Sequence, residues 1–144
     1  MNVYADTGFV VSLYKMESTS PLAAETMAHL QAPVWLSQLG ELELHNAFQL
    51  AIFRREIDSV SALQKKQLFA EDLAKGIFTI VPVPATSLHQ KAIELAERHS
   101  ATLGTRSLDL MHVAAALILK ADLFLGFDGR QRQAAEAEGI TIGP

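Results

Sequence analysis

Five short apolar runs are spaced along the chain, with longer stretches of helical composition between them. Residues 2–5, 34–37, 77–83, 123–127 and 140–142 read as strands; the third is stopped by Pro82 and Pro84, which lack the N–H that a ladder needs. Helical patterns fall over 9–15, from Ser20-Pro21 onward, over 41–55, from Asp58-Ser59 to near Gly76, and over 86–99, 107–120 and 130–138. Boundary residues agree: a hydroxyl then proline at Ser20-Pro21, a capping acid at Asp58, and glycines just past two helix ends at Gly76 and Gly139. Leu88, Ala92, Leu95, Ala96 and His99 share one face of 86–99, and Leu108, Met111, Ala115 and Leu119 form the inner side of 107–120. Short buried strands alternating with helices imply a parallel sheet covered on both faces. The expected fold is α/β, a three-layer α/β/α sandwich with a central, mainly parallel sheet, in one domain over residues 1–144.

The chain has no cysteine, which excludes disulfides, thiolate metal sites and thiol nucleophiles. Its hydrophobic residues, 49% of the total, never approach the roughly 20 consecutive apolar positions of a membrane span. Residues 1–6 lack the basic and apolar regions of a signal peptide, so a cytoplasmic protein without membrane contact is expected. A formal charge of −4 argues against holding nucleic acid by bulk electrostatics. It leaves room for a nuclease, whose site must itself be acidic to hold divalent metals.

Ligands of open parallel sheets bind beyond the carboxyl ends of the strands. Asp6 closes the first strand and Asp128 the fourth, while Glu43 follows the second strand and Asp109 lies in the first turn after Ser107. Asp109 alone is equally well explained as a carboxylate favoured by a helix N-terminus. Asp6 is harder to explain by packing, because an acid directly after a buried strand has little apolar reason to be there. Glu43 stands among Leu39, Leu42 and Leu44, so it is either exposed on the far face or a ligand. Together the four acids make a hard-oxygen set suited to Mg²⁺ or Mn²⁺.

In this setting the motifs resemble those of the PIN-domain ribonucleases, in particular the VapC-like toxins of toxin–antitoxin pairs. Val3-Tyr4-Ala5-Asp6-Thr7 looks like that family's opening strand ending in Asp-Thr or Asp-Ser, and Glu43 followed by Asn46-Ala47 is similar to its E-x-x-N-A helix. The segment from Ser107 through Asp109 and His112 to Ala116 resembles its third acidic block; Phe124 through Gly126 and Asp128 to Arg132, then Ala135 and Gly139-Ile140, resembles its last. The resemblance covers nearly the whole chain. It implies a metal-dependent endoribonuclease that hydrolyses RNA with metal-activated water, with Asp6 and Asp109 as principal ligands of Mg²⁺ or Mn²⁺ and Glu43 and Asp128 binding directly or through water. Thr7, Arg106 and His112 are possible supporting residues. It also implies a homodimer and a small antitoxin protein covering the site, often with an arginine among the carboxylates, a charge-assisted pairing that would neutralise them. The Asn46-Ala47 register favours Glu43 over Glu41, which points about 200° away on a helix. One departure stands out: Gly126 occupies a position where the family usually carries Thr or Ser. It supports the alternative of a PIN-like RNA- or protein-binding module with weakened or lost catalysis, against which the retention of all four acids counts.

Other classes fit less well. Asp6-Thr7-Gly8 spells the aspartic-protease triplet, but only once and with helical sequence after it. An aspartyl nucleophile for phosphate transfer would want a lysine at a later strand end, and Lys120 precedes its strand. Walker, dinucleotide and nucleophile-elbow patterns are absent. His29, His45, His89 and His99 share no zinc spacing, and His112 is read as packed within its helix face more readily than as a ligand. Arg54, Arg55, Arg130 and Arg132 are candidate phosphate contacts, each also explained as solvated surface, with Arg106 better placed beside the acidic block. Phe48, Ile52 and Phe53, with Leu63 and Leu68, suggest a partner groove that core packing explains equally well.

Overall fold

A computed structural model describes residues 1–144. Strands β1 (Val3–Ala5), β2 (Val34–Leu36), β3 (Phe78–Ile80), β4 (Leu123–Leu125) and β5 (Thr141–Gly143) form one sheet in the order β3-β2-β1-β4-β5, every pairing parallel. Residues Val3, Tyr4 and Ala5 of the central strand are all completely buried, because both faces of the sheet are covered. Side chains alternate across a strand, so Val3 and Ala5 enter one core while Tyr4 enters the other. The first core holds Phe9, Phe48, Phe69 and Phe78; the second holds Phe124, Leu95, Leu110 and Val113. The helices divide accordingly. α1 (Thr7–Tyr14), α2 (Ser20–His29), α3 (Gln38–Phe53) and α4 (Ser59–Ala74) cover the first face. α5 (Ala85–Leu95), the short α6 (Ala101–Leu103), α7 (Ser107–Ile118) and α8 (Gly129–Ala137) cover the second. The three layers expected from the sequence are present. No helix is long and apolar enough to cross a membrane.

Three local expectations are corrected. The strand expected over 77–83 is cut to Phe78–Ile80, with one further ladder bond from Val81 N–H to the Leu36 carbonyl. Beyond it Pro82 lacks a donor, and the Val83 N–H turns to the Gln38 side chain instead. The helix expected to end at His99 runs on through a π-helical turn, Ala96–Ser100, and α6, and stops only at Gly104, whose φ of 68° lies in the left-handed region. Leu108 was placed on the inner side of α7 but is 50% exposed. The stripe facing the sheet is Leu110, Val113 and Ala114, which lies roughly opposite Leu108 at 100° per residue. Ala115 is buried all the same, because α7 is also packed laterally between α5 and α8.

Strand-to-helix junctions place the chemistry. Asp6, Ser37 and Asp128 each cap the helix that follows, and their side chains accept from the N–H of Phe9, Gly40 and Gln131 respectively. All three junctions lie at the carboxyl edge of the sheet. β1 is the strand at which the chain order reverses direction across the sheet, so a crevice opens between the ends of β1 and β4.

Candidate metal centre

That crevice is a cleft of about 380 Å³ whose lining includes Asp6, Thr7, Glu43, Arg106, Asp109, His112 and Asp128. The four acids and three supporting residues singled out in the sequence thus face one space. Four different elements deliver the carboxylates: the end of β1, α3, the first turn of α7, and the cap of α8. Glu43 reaches the cleft and Glu41, two residues back on the same helix, does not line it. Gly8, Ser12, Glu17, Ser18, Thr19 and Phe127 complete the lining. Of these, Glu17 is a fifth carboxylate that no strand end or helix signal marked. It accepts at 3.4 Å from Ser12 Oγ, which also lies 2.7 Å from Thr19 Oγ1.

Each of the four acids is engaged by an internal partner. Asp6 Oδ1 accepts from Phe9 N–H at 2.9 Å, and Asp128 Oδ1 accepts from Gln131 N–H at 2.9 Å, both at helix N-termini where the backbone favours negative charge. Asp109 Oδ2 pairs with Arg106 Nε at 3.1 Å. Glu43 Oε1 accepts from the Thr7 hydroxyl at 2.9 Å and lies 2.5 Å from His112 Nε2. On the far side of the imidazole, Nδ1 stands 2.7 Å from Tyr4 Oη, which donates to Ser37 Oγ at 3.0 Å. The imidazole thus bridges Tyr4 and Glu43, with one ring nitrogen facing each. His112 is therefore both buried, at 3% exposure, and part of the cleft.

These partners set the acidities. Burial pushes the Asp6 carboxyl up to about 6, and the Phe9 N–H and the charge of His112 only partly oppose it, while Asp109 and Glu43 push the same way. Burial also pushes Glu43 up, but the hydrogen bond and charge of His112, with the Thr7 hydroxyl, outweigh it and hold Glu43 below the usual carboxylate range. Burial raises the Tyr4 phenol far out of reach of physiological ionisation.

The remaining arginines divide. Only Arg106 lines the cleft; Arg130 donates to the Gly104 carbonyl at 3.2 Å and Arg132 to the Gly126 carbonyl at 2.7 Å. At Gly126 itself, a Cβ would stand 3.0 Å from Phe124 Cε1, 3.2 Å from Gln131 Oε1 and 3.4 Å from Asp6 Cγ. A side chain there would press on Phe124 and Gln131, which would have to give by a few tenths of an ångström. Nothing in the Arg-Gln-Arg-Gln run distinguishes Gln131 at the sequence level.

The donor set fits a hard divalent cation: all four candidate ligands are carboxylates, thiolates are absent, and the one imidazole is committed to Tyr4 and Glu43. A second observation agrees. Gln131 Oε1 is a fully buried acceptor with no protein hydrogen-bond partner, and it flanks the same point above Gly126 as Asp6 Cγ. No three acidic or imidazole side chains converge into a preformed shell, as expected of acids each drawn towards its own partner.

The sequence model of the PIN domain matches residues 3–137. The chain belongs to the PIN-domain family. No curated protein matches it at significance. Among solved structures, Mycobacterium tuberculosis VapC20, described as a toxin that cleaves the sarcin–ricin loop, has the same fold. It superposes with a TM-score of 0.71 at 19% identity over 97% of each chain. FitAcB from Neisseria gonorrhoeae gives 0.66 at 17% identity over 99% of this chain and 96% of that one. A toxin–antitoxin complex from Klebsiella pneumoniae gives 0.61 at 12% identity over 91% and 90%. At these identities the likeness is one of fold, and this PIN domain is VapC-like in that sense.

Proposed function

We propose that this PIN domain is a divalent-metal-dependent endoribonuclease that acts in the cytoplasm as the toxin of a type II toxin–antitoxin pair. The observation that carries the reading is the delivery of four carboxylates, from four elements, into one cleft at the carboxyl edge of a parallel sheet. Asp6 and Asp109 are the principal ligands for Mg²⁺ or Mn²⁺, with Glu43 and Asp128 binding directly or through water. When bound, the cation supplies an acidified water as nucleophile and neutralises charge on the phosphodiester.

The protein's own groups do the rest. Thr7 and His112 hold Glu43 in one orientation from two sides. Asp6 and Asp128 are fixed by the helices they cap, so their carboxylates are positioned before any ligand arrives. Arg106, 77% exposed at the cleft mouth, is free to leave Asp109 and meet an RNA phosphate, a local cation that offsets the net charge of −4. The sarcin–ricin loop activity of VapC20 and the antitoxin-bound state of the Klebsiella relative support an RNA substrate and a small antitoxin partner. The expected apolar groove divides between core and surface: Phe48 is buried and Ile52 packs against the core, but Phe53 is 84%, Leu63 54% and Leu68 51% exposed. Those three suit the antitoxin or a second copy in a homodimer.

Substituting Asp6→Asn should leave a folded protein whose Mg²⁺- or Mn²⁺-dependent cleavage of labelled RNA is lost. Full activity in that variant, or wild-type cleavage undiminished by excess chelator, defeats the mechanism. Wild-type protein that binds metal and RNA without cleaving it would establish the non-catalytic binding module instead.

A further inference from the structure

Gln131 hydrogen-bonds two of the four acidic residues although it is neither charged nor exposed. Its backbone N–H donates to Asp128 Oδ1 at 2.9 Å, and its side-chain Nε2 donates to the Asp109 carbonyl at 3.2 Å. The second bond fixes the amide's orientation, since only the nitrogen can donate to a carbonyl. Oε1 must then face the other way, towards the point above Gly126 that lies 3.4 Å from Asp6 Cγ. There it is completely buried and is the one buried side-chain nitrogen or oxygen in the chain without a partner. An amide oxygen shut away from water gains no hydrogen bond to offset its burial. An apolar side chain of similar size would cost the cation-free fold less. A divalent cation, or a water held by one, would supply the missing partner, because both seek oxygen donors of this kind.

We propose that Gln131 Oε1, which has no protein partner, is a fifth oxygen of the cation site, engaged by the ion or its hydration shell when the carboxylates are loaded. This rests on the metal-dependent reading above. Gly126 belongs to the same device: the absence of a side chain there leaves Oε1 and Asp6 facing a common space. Gln131 is a positioning residue, tying the backbone of Asp109 and the carboxylate of Asp128 together while lending its own oxygen.

The test is titration of intact protein with Mn²⁺ by calorimetry, beside thermal melts in chelator. Gln131→Met removes the acceptor at nearly constant volume. Its affinity for Mn²⁺ should fall about tenfold, the usual scale for an outer-shell ligand, while its metal-free melting temperature holds or rises. Gln131→Glu keeps an oxygen at the same reach and adds charge. It should bind Mn²⁺ at least as tightly as wild type but melt earlier without metal. Affinity and metal-free stability thus move in opposite directions across the two variants. A merely packed Gln131 would give Met and Glu variants that both lose metal-free stability with unchanged Mn²⁺ affinity, and that result overturns the inference. Wild-type protein that fails to bind Mn²⁺ or Mg²⁺ at all would instead defeat the metal-dependent reading itself.

Discussion

Asp6 and Glu43 face one cleft, and burial raises the carboxyl of each, yet they end on opposite sides of the ordinary carboxylate range. The difference is in their partners. Asp6 has one backbone N–H, two like charges nearby and His112 only at a distance; Glu43 has that imidazole in direct hydrogen bond, itself anchored through Tyr4 to Ser37, and a threonine hydroxyl. An acid met only by a helix end keeps its proton up to about pH 6 and carries a poorly compensated charge above that. An acid bonded by an imidazole and a hydroxyl is held ionised to lower pH and is already oriented. The cleft therefore holds one carboxylate that destabilises the empty protein and another that stabilises it.

Removing the partner of Glu43 should have the largest effect on stability. His112→Ala leaves Tyr4 Oη and Glu43 without their shared neighbour and opens a cavity in the second core. Chemical denaturation should show a loss of about 2–4 kcal/mol. A loss below about 1 kcal/mol would mean that the imidazole does not hold the pair. Removing the charge of Asp6 should act the other way. Asn still caps α1, so in chelator at pH 7 Asp6→Asn should be more stable than wild type by about 3 kcal/mol, the equivalent of moving a carboxyl from 3.8 to about 6.

The pH profiles sharpen the contrast. Asp6 binds its proton more tightly folded than unfolded. The advantage of Asp6→Asn should therefore be absent below pH 4, grow as pH rises towards 6, and then level off. Glu43 is held below its ordinary 4.5, so its contribution should be present above pH 4.5 and disappear as pH falls further. Melting curves of wild type, Asp6→Asn and Glu43→Gln across pH 3–8 separate the two; parallel profiles would erase the distinction. The smallest effect belongs to Arg106→Ala. This exposed pair should leave stability within measurement error while raising Mn²⁺ affinity a few-fold in calorimetry, because a competing cation is gone. Weaker Mn²⁺ binding would show that Arg106 helps organise Asp109 and does not compete for it.

The parts of this site legible in the sequence are those where two local rules coincide. Asp6 and Asp128 stand at strand ends and at helix caps, so both position and residue type mark them. Helix geometry sets Glu41 and Glu43 on different faces without choosing between them; the Asn46-Ala47 register of the family resemblance favours Glu43, and Glu43 is the one that lines the cleft. The inner face of α7 was not legible, since Leu108-Asp109-Leu110-Met111 through Ala116 is apolar nearly all round and two stripes compete. Only packing against both the sheet and α5 selected Leu110 and Val113. His112 was read as packed or as part of the site, and it is both, through a contact with Tyr4 across 108 residues. Gln131 and Glu17 carried no signal because their relation to the acids exists only in three dimensions.

The double duty of Asp6 bears on how such a chain can change over generations. A single-base substitution converts an aspartate codon to one for asparagine. Here that step removes a repelling charge while keeping the helix cap. On the proposed role of Asp6, loss of the chemistry would need no compensating mutation elsewhere, and the silenced descendant would fold at least as well as its parent. Under the metal-dependent reading, selection to keep this PIN domain active works against a neighbouring sequence that is inert, well folded and one step away.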